Sequence, residues 1–107
     1  MIGTTKATGN GALSLEVAPG YPWQLEEIRV HLNAPGGSGD LTATLDSALG
    51  SAYDTNVLTQ DMTAVEDLVF APEHAPIFDK DDKLNIAWTN AGGKTYGIEV
   101  KHRAVYA

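Results

Sequence analysis

Residues 83–103 read Lys83-Leu84-Asn85-Ile86-Ala87-Trp88-Thr89, then Asn90-Ala91-Gly92-Gly93-Lys94, then Thr95-Tyr96-Gly97-Ile98-Glu99-Val100-Lys101-His102-Arg103. Leu84, Ile86 and Trp88 alternate with polar or small residues, and past the Asn/Gly connection the alternation resumes with Tyr96, Ile98 and Val100. A period of two on both sides of a short Gly-rich connection predicts an antiparallel hairpin with one apolar face. Two strands alone are marginal in water, so that face needs a second sheet, which the preceding eighty or so residues must supply.

Working outward, Asp79-Lys80-Asp81-Asp82 is a polar turn leading into this stretch, and Ile77-Phe78 and Leu68-Val69-Phe70 are short strands bounded by Pro76 and Pro72. Thr55 to Met62 suits an edge strand, and the small residues from Ser47 to Asp54 suit a crossing loop. Residues 28–46 predict a second hairpin, with Ile28, Val30 and Leu32 on one arm, Leu41, Ala43 and Leu45 on the other, and a Pro/Gly/Ser loop between. Trp23 and Leu25 have the opposite parity to Ile28, Val30 and Leu32, which predicts a β-bulge at Glu26-Glu27. Leu13, Leu15 and Val17 mark one more strand, stopped by Pro19-Gly20. Residues 1–12 are small, polar and Gly-rich, and read as a flexible N-terminal arm before a β-sandwich domain over 13–107.

No stretch keeps apolar residues at helical spacing. The expected fold is therefore all-β: a single-domain antiparallel β-sandwich of about eight strands, jelly-roll-like, with an immunoglobulin-like sandwich as the second architecture. At 107 residues there is room for one core. The absence of cysteine excludes disulfide and thiolate chemistry. A formal charge of −7 disfavours nucleic acid and anionic membranes as partners. The start, Met1-Ile2-Gly3-Thr4-Thr5-Lys6, lacks the layout of a signal peptide, which is the expectation for a cytoplasmic product.

The candidate chemistry is thin. Ser38 in Gly36-Gly37-Ser38-Gly39-Asp40 lacks the geometry of a nucleophile elbow, because a strand and not a helix follows. His31, His74 and His102 have no metal-ligand spacing. Asp79, Asp81 and Asp82 offer oxygens in one turn but lack the glycine and glutamate of a calcium loop, so they are read as a solvated turn. No catalytic residue, metal ligand or cofactor site is assigned, and the chain is not expected to be an enzyme. Trp88, Tyr96, Phe70 and Phe78 fit the apolar pattern, whereas Tyr21, Trp23, Tyr53 and Tyr106 fall at strand ends or in loops. Those four are the candidates for a protein interface or a sugar-stacking platform.

Leu25-Glu26-Glu27-Ile28-Arg29-Val30-His31-Leu32, the run from Leu45 to Asp54, Asp61-Met62, the run from Asp82 to Asn90, and Thr95-Tyr96-Gly97-Ile98-Glu99-Val100 resemble small β-sandwich proteins of tailed-bacteriophage virions. In size, acidity and lack of cysteine the chain is most similar, within that group, to jelly-roll capsid decoration, or cement, proteins. The resemblance implies a homotrimer on the outside of a phage capsid, bound to the major capsid protein and stabilising capsomer contacts, after synthesis in the host bacterial cytoplasm. The alternatives are another virion part, such as the tail or head–tail connection, and a carbohydrate-binding module using Tyr21, Trp23 and Tyr53.

Overall fold

A computed structural model describes residues 2–105. Its strands are β1 (Ile2–Gly9), β2 (Leu13–Val17), β3 (Trp23–Leu32), β4 (Asp40–Asp46), β5 (Thr55–Asp61), β6 (Asp67–Phe70), β7 (Ile77–Phe78), β8 (Lys83–Trp88) and β9 (Tyr96–Ala104), with one 3-10 turn at Ser51–Tyr53. They form two antiparallel sheets. Sheet A has the order β1-β9-β3-β6, with β7 also on β3, and sheet B has the order β2-β8-β4-β5.

The pairing is nested. β4 pairs with β5, β3 with β6 and β7, β2 with β8, and β1 with β9, so the chain is one long ribbon folded back at 47–54. Wrapping that ribbon brings β9 against β3 and β8 against β4. β6 and β7 lie end to end along β3 as one strand interrupted by 71–76. This is the eight-stranded jelly-roll arrangement of two four-stranded sheets.

Both predicted hairpins are corrected. β8 and β9 lie in different sheets, as do β3 and β4, so 89–95 and 33–39 cross between layers instead of turning within one. The alternation was read correctly, since Leu84, Ile86, Trp88, Ile98 and Val100 are all buried. But both sheets bury one face in the same core, and a seven-residue connection spans the roughly 10 Å between stacked sheets as readily as it turns within one. The true hairpin is β4–β5, whose connection carries no Asn-Gly signal.

The bulge is where the parity change put it: the register of β3 on β9 shifts between Leu25 and Glu27, and Trp23, Leu25, Ile28, Val30 and Leu32 all point inward. The stretch read as an arm is, over Ile2–Gly9, a strand of sheet A, paired from Ile2 opposite Arg103 to Gly9 opposite Tyr96. Glycine is required at position 3, where a Cβ would run into the His102 ring. A strand of glycine, threonine and alanine that covers rings supplied by its neighbour has little apolar pattern of its own to read.

Candidate functional site

Connections 18–22, 47–54 and 79–82 gather, with β7, at one end of the sandwich, where β1 begins and β9 ends, as the pairings of Ile2 with Arg103, Trp23 with Phe78 and Ala104, and Asp46 with Lys83 require. A buried carboxylate ties two of them together. Asp82, 7 % exposed, accepts the Ala48 backbone N–H at Oδ1 (2.9 Å) and the Asp79 N–H at Oδ2 (3.0 Å). Its two oxygens thereby hold the 47–54 connection and the 79–82 turn to one side chain through charge-assisted bonds. Gln24 Nε2 donates to Ala75 O, and the Val105 N–H to Pro22 O, fixing 71–76 and the end of β9 to the same platform. At the tip Gly50 has φ 119°, a conformation that side-chain-bearing residues rarely adopt, and the chain then turns through Ser51–Tyr53.

Outside this scaffold the surface is apolar and acidic. Of five exposed large apolar side chains among the described residues, Leu49 (72 % exposed) and Tyr53 lie on the tip at this end, Ile2 and Ile77 lie at this end on the outer face of sheet A, and Val69 lies farther along that face. Asp46, Asp54, Glu73, Asp79 and Asp81 surround them against Lys80 and Lys83, and Lys83 is 3.5 Å from Glu16.

Of the predicted aromatic set, Trp23 does not reach the surface. Trp23 is fully buried, stacked on Phe78 with ring centroids 4.1 Å apart, and belongs to the core, not to a surface platform. Its place at the start of β3 suggested a strand-end residue, but across the bulge its side chain points to the inner face with Leu25. Tyr21 is half-buried, with Oη 3.3 Å from His102 Nδ1. Tyr53 is exposed at the tip, and Tyr106 lies outside the described residues. Sequence reasoning missed Leu49 and Ile77. The signal for Leu49 was an apolar residue within a run of small ones, and a two-residue strand between prolines leaves the facing of Ile77 undetermined.

His102, expected near the sheet margin, is buried beneath Gly3 and beside Trp23, and that burial pushes its pKa below the ordinary histidine value. The opposite end gathers 10–12, 33–39, 62–66 and 89–95. There buried Asn90 donates from Nδ2 to Gly11 O and Lys94 O and accepts the Lys94 N–H at Oδ1.

The outer face of sheet A is covered by paired charges. Arg29 lies between Glu27 and Glu99, Lys6 reaches Glu99, Lys101 reaches Glu27, Arg103 meets Glu26 at 2.8 Å, and His31 Nδ1 is 2.6 Å from Asp67. A shallow groove of about 600 Å³ crosses this face over Gly97, between Thr8 and the His31–Asp67 pair, with no Trp, Tyr or Phe in its walls. Among the described residues no helix is long and apolar enough to cross a membrane.

No protein-family model matches the chain, and no curated protein matches it. Among solved structures it is similar to the Yersinia pseudotuberculosis-derived mitogen, with 14 % identity and a TM-score of 0.42 over 100 % of this chain and 88 % of that one. It is also similar to a chain in the structure of infectious bursal disease virus Gx strain, with 15 % identity and a TM-score of 0.36 over 97 % of this chain and 32 % of that one. Neither likeness bears on what this chain does.

Proposed function

We propose that the chain is a non-enzymatic virion structural protein, a decoration protein that seats end-on upon the outer surface of a phage shell. One observation carries this reading: two large apolar side chains, Leu49 and Tyr53, are exposed on the loop that Asp82 ties at Ala48. Exposed apolar groups held on a rigid support are what a docking surface needs, because little loop entropy is lost on contact. Leu49 and Tyr53 serve as anchors at the tip, and the surrounding carboxylates select a shell patch bearing lysine or arginine. Each copy bridging neighbouring shell subunits adds its binding free energy to the closed state, so modest single contacts raise shell stability together.

The test is co-sedimentation with shells prepared without the protein. Wild type binds saturably, Leu49→Asp and Tyr53→Ala lose at least about tenfold in affinity, and Val69→Ala, on the charged face, binds as wild type. Failure of the wild type to bind, or equal binding by all variants, contradicts the proposal.

A further inference from the structure

The free edge of sheet A points to a second partner. β1 is eight residues long and pairs with β9 without a register shift, and its other edge is unpaired. The remaining outer strands are blunted: β2 has five residues, β6 four, β7 two, and β5 carries a register shift opposite Ala43 and Thr44. A long, regular edge without proline or bulge is a template for strand addition. Lys6 is its one charged side chain.

The charge distribution says what adds there. The outer face of sheet A, from β1 to β6, holds four of the seven basic side chains (Lys6, Arg29, Lys101, Arg103) and four of the fourteen acidic ones (Glu26, Glu27, Asp67, Glu99). That leaves three bases against ten acids for the rest of the molecule, which therefore carries the whole charge of −7. Two copies of like net charge repel one another least along this balanced face. We propose that β1 pairs antiparallel with β1 of a second copy across a twofold axis, joining the two A sheets into one.

The register follows from parity and charge. Ile2, Thr4, Lys6 and Thr8 face outward while Gly3, Thr5, Ala7 and Gly9 face the core side, and directly opposite residues of an antiparallel pair share a face, so the axis passes through a residue. Only axes at Thr5 and Lys6 overlap seven residues of each strand. The Lys6 axis places an ammonium opposite its twin, which is unfavourable. Centring on Thr5 instead sets Lys6 opposite Thr4 of the other copy and Ile2 opposite Thr8. This pair replaces the threefold assembly that the decoration resemblance implies.

Analytical ultracentrifugation of the purified chain, with no shell present, tests the pair apart from the seating proposal. A protein that decorates as a monomer fails here and still binds shells. The expected result is a reversible dimer that tightens as salt rises, because screening relieves the like net charge. Thr4→Glu puts a carboxylate opposite Lys6 twice per dimer and tightens it by about twofold to thirtyfold, and Thr4→Lys loosens it by a similar factor. Because the cysteine-free chain permits it, Thr4→Cys mixed with Lys6→Cys gives a disulfide-linked heterodimer under oxidation. A monomer up to about 1 mM, a trimer, or a dimer indifferent to both charge substitutions overturns the pairing.

Discussion

The two ends of the sandwich are built alike inside and differ outside. Each has a buried tryptophan, Trp23 under one and Trp88 under the other, and each has one buried polar side chain that ties its connections through backbone groups, Asp82 or Asn90. Beyond those ties the Asn90 end is closed by backbone and Asn33 bonds, with none of the five exposed large apolar side chains. The Asp82 end presents Leu49, Tyr53, Ile77 and Ile2 amid carboxylates. The common interior meets the demands of folding, and the unshared exterior, which folding does not require, is where function is to be sought.

The interior likeness predicts the largest effects. Trp23→Ala and Trp88→Ala each cost about 3–5 kcal/mol, because each empties a filled core site, and urea unfolding should show both variants near the limit of folding. A large loss for one and none for the other would break the parallel between the ends. Next come the two polar side chains. Asp82→Ala and Asn90→Ala each remove side-chain bonds to backbone groups and cost about 1–3 kcal/mol, Asn90→Ala also because it places alanine at φ 49°. Their consequences separate at the surface: shell affinity falls for Asp82→Ala, which releases the loop that carries Leu49, and holds for folded Asn90→Ala.

A smaller effect comes from His102. Its folded pKa lies below the unfolded value, since burial disfavours the imidazolium beneath Gly3 and beside Trp23. Between those two values the unfolded chain binds more protons, so stability rises with pH there and is lost as pH falls through about 6.5 and below, by at most about 1.4 kcal/mol per pH unit. Thermal melts from pH 7.5 to 5 check the sign, and His102→Gln should flatten the curve in that window. Smallest of all, Lys101→Ala removes a half-buried pair with Glu27 at 3.9 Å while Glu27 keeps Arg29 beside it, and should shift stability by less than about 1 kcal/mol. A larger loss in denaturant titration would mean that the charged face of sheet A contributes to folding as well as to solubility.

Much of the sandwich was legible because its strands alternate. The core residues of β2, β3, β4, β8 and β9 stand in the sequence at a period of two, and even the bulge at Glu26 is visible as a change of parity. The connections were not legible, because 89–95 and 33–39 carry the same Gly, Asn and Pro signals whether they turn within a sheet or cross between two. β1 reads as an arm because its inward residues are Gly3, Thr5, Ala7 and Gly9, so the rings it covers come from β9. The docking end was the least legible part. Exposure of Leu49 depends on Gly50 and on the Asp82 bond to Ala48, thirty-four residues apart, and no local pattern encodes that distance.

Hydrogen–deuterium exchange on shells saturated with the protein, against the free protein, tests the asymmetry of the two ends most directly. The account predicts new protection at 47–54 and 71–82, with 33–39 and 89–95 exchanging as in the free protein. Protection at 33–39 and 89–95 instead, or at neither end, would contradict it.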